Sequence, residues 1–272
     1  MADKSSADGG LRELALFAGA GGGMLGGHLL GWRTVCAVEW EPYAACILAA
    51  RQNDGLLPPF PIWDDVQTFD GRPWRGIVDV VSGGFPCQDI SIAGKGDGLD
   101  GERSGLWREM ARVVGEVRPR YVYIENSPML TSRGGARVIA DLTSLGYDTQ
   151  WDVMGAADVG APHQRDRIWV VAEMADSSGI GLERWPSDRN SIQKQSFCES
   201  QQNDRYGVWR EVTGGFSLDN WKSFAMQFCG MDDGVAARVD RLKAIGNGQV
   251  PAVAAAAWSL LTDCVSERPR NP

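Results

Sequence analysis

Cys87 is the residue of this chain whose setting most suggests chemistry. It closes the run Val80-Val81-Ser82-Gly83-Gly84-Phe85-Pro86-Cys87-Gln88, in which an apolar segment stops and two glycines and a proline turn the backbone. Open α/β sheets place their chemistry in loops at the carboxyl ends of strands. A thiol held there on a stiff, proline-anchored turn is a candidate nucleophile. For a lone cysteine the plainer alternative is a small apolar residue filling a loop. The rest of the chain shifts that balance, because it supplies a cofactor loop, a carboxylate and two arginines in matching order.

Phe17-Ala18-Gly19-Ala20-Gly21-Gly22-Gly23 joins a first strand to a first helix. Bare glycines admit a ligand to the backbone, and a following helix start offers free N–H groups. This segment is not a proper G-x-G-x-x-G and has no following Lys-Ser/Thr of a phosphate loop, so a plain tight turn is an equal reading. Glu39-Trp40 ends the second strand about 20 residues later, where a carboxylate can accept from a ribose diol. The adjacent indole can cover a purine face. Asp64-Asp65, before Val66, is a third contact of the same kind, to an adenine amino group, although adjacent surface acids are common. Glu125-Asn126 lies at the end of another strand, where a carboxyl near a thiol loop could be protonated and hold a heterocycle. Gln164-Arg165-Asp166-Arg167 precedes a further strand. Alternation puts both arginines on one face if that strand begins early, ready for an anion or a carbonyl oxygen. Solvated charges at a strand start are the alternative. Gly246-Asn247-Gly248-Gln249-Val250-Pro251 is a tight turn into the last helix.

These segments need a frame. Strands are expected at 11–17, 34–38, 77–82, 121–124, 151–154 and 168–172. Helices are expected at 24–30, 42–53, from an N-cap at Ser104 to 117, at 136–145 and at 250–261. The alternation predicts an α/β fold with a doubly wound, mostly parallel sheet. Residues 1–10 read as a disordered start, 11–174 as the catalytic and cofactor-binding domain, and 175–237 as a small irregular insert rich in Ser, Asn, Gln, Gly and Trp. Residues 238–265 return to the first domain, and 266–272 form a loose tail.

With 272 residues, the chain is large enough for one core and a small appendage. No apolar run approaches a membrane span and no signal peptide opens the chain, so the expectation is a cytoplasmic protein without a membrane partner. Six scattered cysteines without a C-x-x-C pair, and two histidines, argue for reduced thiols and no metal. A net charge of -8 counts against coating nucleic acid by bulk electrostatics but leaves room for a local basic cleft.

Taken in order, the pieces Phe17-Ala18-Gly19-Ala20-Gly21-Gly22, Glu39-Trp40, Asp65, Gly84-Phe85-Pro86-Cys87-Gln88, Glu125-Asn126, Gln164-Arg165-Asp166-Arg167 and Gly246-Asn247-Gly248-Gln249-Val250-Pro251 resemble the DNA cytosine carbon-5 methyltransferase family. The size is that of a compact bacterial or phage-type member. The resemblance spans the chain except about 175–235, and it implies a Rossmann-like S-adenosylmethionine methyltransferase fold with a target-recognition insert. It implies methyl transfer from S-adenosylmethionine to carbon 5 of a flipped-out cytosine in double-stranded DNA.

In that reading Cys87 adds to carbon 6, Glu125 holds the exocyclic amine and ring nitrogen 3, and Arg165 and Arg167 assist. The donor falls to Phe17, Ala18, Gly19, Gly21, Gly22, Glu39, Trp40, Asp65, Val66, Pro86, Asn247 and Val250. The substrate falls to Gln88, Ser91, Asn126 and Gln164. The glycine-rich loop 89–103 closes over the base, and Arg184, Arg189, Asn190, Gln193, Arg205 and Arg210 are candidates for base reading. A monomer is implied, and a restriction endonuclease partner is left open.

Two positions depart from the pattern. Ser127 stands where valine usually follows Glu-Asn, and its hydroxyl is expected to alter the pocket near the donor methyl or Cys87. His163 stands where proline usually precedes the glutamine. Competing readings are the same chemistry on RNA, a non-catalytic DNA-binding relative, and a cysteine hydrolase pairing Cys87 with His163. The hydrolase has no use for the glycine loop or Glu39.

Overall fold

A computed structural model of the chain describes residues 10–86, 105–175 and 248–266. Seven strands of the described residues form one sheet: β1 (Arg12–Leu16), β2 (Arg33–Val38), β3 (Ile62–Trp63), β4 (Val80–Gly83), β5 (Tyr121–Asn126), β6 (Tyr147–Met154) and β7 (Arg167–Met174). Their order is β3-β2-β1-β4-β5-β7-β6. β3, β2, β1, β4 and β5 run parallel, and β7 is antiparallel to both β5 and β6. The expected doubly wound, mostly parallel sheet is therefore present. The chain moves from β1 outward to β2 and β3, then returns to place β4 on the other flank of β1. That reversal makes the β1/β4 crevice the topological switch point, where ligands bind in such sheets.

Helices cover both faces. α3 (Gly105–Val117) buries Trp107, Met110, Val113, Val114 and Val117, one stripe at helical spacing, against one face together with Val138 and Leu142 of α4 (Gly135–Ser144). α1 (Gly22–Leu29), α2 (Pro42–Asn53) and α5 (Pro251–Ser266) take the other face. Pro42 starts α2 at the position where a missing N–H costs nothing. Trp32, Tyr121, Tyr123, Trp169 and Trp258 pack edge-on or stacked where α5 meets the sheet.

Several boundaries differ from the sequence expectation. β4 begins at Val80, and Ile77 is exposed in the preceding turn. β6 starts four residues early, at Tyr147, because antiparallel pairing with β7 runs the full length from Tyr147–Met174 to Met154–Arg167. β3 has only two residues, too few to leave a pattern. α5 continues to Ser266. The N-cap expected at Ser104 and the insert beyond Ala175 lie outside the described residues.

Candidate active site

A cavity opens at the switch point. Phe17, Ala18 and Gly19 line one side, Gly83 and Gly84 another, and Glu125, Trp169 and Gln249 the far end. β1 hands over to this cavity through an unusual turn. Phe17 sits in the left-handed region at φ 52, followed by Gly19 at 55 and Gly21 at 86. A non-glycine residue there stores strain, so the surrounding structure must hold it. Two bonds do so. The Ala18 N–H donates to the Val38 carbonyl at 3.1 Å, and the Gly19 N–H donates to Glu39 Oε2 at 2.6 Å. The other Glu39 oxygen accepts from the Glu41 N–H at 2.7 Å. Glu39 thus fixes the glycine loop and the entry to α2 at once, and its remaining lone pairs are those a vicinal diol would use.

The glycines of the loop divide in purpose. A Cβ added at Gly19 would meet nothing within 4 Å, so this residue keeps an open side. At Gly21 an added Cβ would approach Leu48 to 2.8 Å, and at Gly22 it would lie 2.2 Å from the Gln249 carbonyl oxygen. Gly22, expected to admit a ligand, instead admits the segment leading into α5.

The other expected donor contacts also sort out. Trp40 is 73% exposed beside Glu39, two residues past the end of β2. Asp65 Oδ1 accepts from the Gln67 N–H at 2.8 Å. Val66 is buried in the core and its carbonyl accepts from Arg112 Nη2 at 2.7 Å, so only its backbone could reach a ligand. Val250 packs against the aromatic cluster under α5 and does not line the cavity.

Glu125 is the chemical centre of the described residues. Its side chain is 11% exposed, and Oε1 lies 2.8 Å from Arg167 Nε. Oε2 accepts from Gln249 Nε2 at 3.4 Å. Burial pushes this carboxyl above its ordinary pKa; Arg167, Gln249 and Arg165 pull the other way without cancelling it. The result is an acid prepared to carry a proton. Arg165 has its own pKa pulled down by burial and by Arg167, and raised by Glu125. The strand opens at Arg167, so alternation does not bring Arg165 to the site. It arrives from the preceding loop and is held by donation from Nη2 to the Gly248 carbonyl at 2.6 Å.

Asn126, expected at the substrate, is 2% exposed. Its Nδ2 donates to the Phe85 carbonyl at 3.1 Å and its Oδ1 accepts from the Ser127 N–H at 2.8 Å. It braces the end of β5 to the turn that leads to Cys87. The Phe85 ring anchors the same turn beside Trp107, with centroids 5.3 Å apart, and Pro86 follows in the open. The Ser127 hydroxyl accepts from the Met129 N–H at 3.4 Å and caps the 3-10 turn Pro128–Thr131. Its role here is local capping. Gln164 is exposed ahead of β7. Cys87, Gln88, Ser91, Asn247, the loop 89–103 and the base-reading candidates all lie outside the described residues.

Gln249 and Glu13 are among the cavity residues that escaped sequence reasoning. Gln249 looked like part of a loop, and nothing in its type marked it. Glu13 lies in Arg-Glu-Leu-Ala-Leu, and a carboxylate inside an apolar central strand was the available signal. It is 1% exposed, with the Thr34 hydroxyl donating to Oε2 at 2.7 Å and the Ser82 hydroxyl to Oε1 at 2.6 Å.

Known proteins share this architecture. The family model for C-5 cytosine-specific DNA methylase matches residues 11–226. The Type II methyltransferase M.Eco47II of Escherichia coli is 36% identical over 189 residues, which cover 66% of this chain and 43% of that protein. M.HhaI of Haemophilus parahaemolyticus is 32% identical over 167 residues, covering 60% of this chain and 49% of that protein. The match thus spans less than half the length of these relatives. Among solved structures, the Dnmt2 methyltransferase of S. pombe aligns with a TM-score of 0.50 at 21% identity, over 71% of this chain and 58% of that one. A mutant DNMT2 of Spodoptera frugiperda aligns with a TM-score of 0.51 at 18% identity, over 64% and 53%. These two likenesses speak for the fold. With the family model matched across most of its length, the chain belongs to the C-5 cytosine-specific DNA methylases.

Proposed function

We propose that this chain transfers the methyl group of S-adenosylmethionine to carbon 5 of a cytosine flipped out of double-stranded DNA. The observation that carries the reading is the buried Glu125, held by Arg167 and lining the same cavity as the Phe17–Gly19 turn. The residues present fit the donor. Gly19 has an open side, Glu39 offers a carboxylate at the end of β2, and Trp40 an unpacked ring. Phe17, Ala18, Gly19, Glu39, Trp40 and Asp65 would hold it. When bound, it supplies the methyl group as a sulfonium electrophile.

The chain's own residues do the rest. Cys87, as thiolate, adds to carbon 6 of the cytosine and makes carbon 5 enamine-like. Glu125 holds the exocyclic amine and passes a proton to ring nitrogen 3 as the adduct forms. Arg167 fixes that carboxyl, and Arg165 supports it or the cytosine oxygen. Once carbon 5 carries the methyl group, ring nitrogen 3 returns its proton to Glu125, water takes the carbon-5 proton, and the bond from carbon 6 to Cys87 breaks to restore the ring. A thiol near its reference pKa of about 8.5 is mostly protonated at neutral pH, so nearby cations must lower it. Extruding the base costs a few kcal/mol, met by loop 89–103 closing over it, while 175–237 read the sequence. The protein acts in the cytoplasm, as a monomer.

The test is transfer of tritiated methyl from S-adenosylmethionine to unmethylated duplex DNA. Label should appear as 5-methylcytosine, Cys87→Ala should abolish it, and Glu125→Gln should slow it by roughly 10²–10⁴-fold. Label entering tRNA and not duplex DNA would overturn the DNA assignment. Full activity of Cys87→Ala would overturn the mechanism.

A further inference from the structure

Three glycines from two different segments leave room for one residue, Gly22 for its backbone and Gly23 and Gly84 for its side chain. A Cβ added at Gly23 would lie 2.1 Å from Gln249 Oε1. One added at Gly22 would lie 2.2 Å from the Gln249 carbonyl oxygen. At Gly84, on the turn after β4, it would meet Glu125 Oε2 at 2.7 Å and Gln249 Nε2 at 3.2 Å. The Gln249 amide therefore lies between the start of α1, the end of β4 and the end of β5. Its Nε2 donates to Glu125 Oε2, the oxygen opposite the one that Arg167 holds. Both carboxyl oxygens are thereby gripped from separate elements, which fixes the plane of the carboxyl and not only its place. The same segment is anchored once more, since Arg165 donates to the Gly248 carbonyl.

We propose that Gln249 is a positioning residue for Glu125, a bridge through which the segment before α5 sets the orientation of the acid and ties it to the donor loop. The proposal rests on the reading of Glu125 as the acid of the reaction. Leucine would fill the same space, so packing alone does not call for an amide here. A glutamine offers Nε2 to the carboxyl, while its Oε1 end packs against Gly23 at the start of α1.

Gly23 gives a way to move Gln249 without touching Glu125. The atom an added Cβ would strike is the tip of a flexible side chain, so Gly23→Ala displaces the amide and leaves the backbone in place. Single-turnover methyl transfer to unmethylated genomic DNA is measured in the full chain for Gln249→Ala, Gly23→Ala, the double variant and Glu125→Gln. Thermal unfolding and calorimetric binding of S-adenosylhomocysteine accompany it. Gln249→Ala and Gly23→Ala should each lose about tenfold in rate. The double variant should lose no more than Gln249→Ala alone, the non-additivity of two changes acting through one contact. S-adenosylhomocysteine should bind Gln249→Ala within about threefold of the parent, which places the loss in the chemical step. The alkaline limb of the rate profile should move to higher pH in Gln249→Ala, since an N–H donor that favours the carboxylate is gone while Arg167 and Arg165 still face it. The Gly23→Ala loss in melting temperature should shrink when Gln249 is alanine. An unchanged rate in Gln249→Ala, or additive losses, with Glu125→Gln still crippled, overturns the bridge and leaves the acid standing. An active Glu125→Gln overturns both.

Discussion

Arg167 Nε lies 2.8 Å from Glu125 Oε1 across the β5–β7 pair, and Glu125 lines the cavity with only 11% of its side chain exposed. Burial lifts the pKa of Glu125, and Arg167 is the largest of the influences opposing it. Removing Arg167 must therefore push the carboxyl further up. In Arg167→Leu the alkaline limb of the rate profile should shift to higher pH, and the maximal rate should fall by about tenfold or more as the carboxyl loses its orientation. Arg167→Lys should keep much of the charge effect and lose the directional bond. A pH–rate series on the three proteins checks this. A limb that stays fixed in Arg167→Leu would show that another group titrates there.

Glu39 gives a prediction of affinity. Its two oxygens accept from the Gly19 and Glu41 N–H groups at 2.6 and 2.7 Å. Glutamine retains one acceptor oxygen and sets an NH₂ against the other N–H. Hydrogen bonds to charged groups contribute about 1.5–3 kcal/mol. Glu39→Gln should weaken binding of S-adenosylmethionine by about tenfold or more, with Glu39→Ala at least as weak, measured by calorimetry. The melting temperature of the unliganded protein should fall too, because the Gly19 bond helps hold the strained Phe17 turn and the Glu41 bond the entry to α2.

How far the sequence disclosed this site depends on what each residue does. Glu125, Arg167 and Glu39 were legible because charge next to the ends of apolar strands stood in order with a glycine loop and a thiol turn. The sheet was legible because strand and helix alternate with short punctuation. Asn126 was legible as a site residue but not as a brace, since its partner is a backbone carbonyl at Phe85, 41 positions away, and backbone acceptors carry no sequence label. The glycine loop was read as one feature and proved to be two. Gly19 faces open space, while Gly22 makes room for Gln249, and glycine looks the same in either case. Arg165 reached the site by a tether to Gly248 and not by strand alternation. Gln249 was invisible because its importance comes wholly from the three chain segments that converge on it.

Glu13 yields a prediction of stability. It lies on β1 between Thr34 of β2 and Ser82 of β4, so one carboxyl links the three strands whose ends carry the site. Burial raises its pKa, and the bonds from Ser82 and Thr34 only partly oppose that. The native state therefore holds this proton at pH values where the unfolded chain has released it. Stability from this group is greatest below the unfolded carboxyl pKa and is lost as pH rises towards the higher native value. Glu13→Gln keeps the shape and cannot ionise. The difference in unfolding free energy between the parent and Glu13→Gln should thus move in favour of the variant as pH increases from about 4 to 8. Urea unfolding at several pH values reads it directly, and subtraction removes the other carboxyls, which both proteins share. A difference that is flat with pH would mean that Glu13 titrates alike in the native and unfolded states, with its two hydroxyl partners offsetting the cost of burial in full.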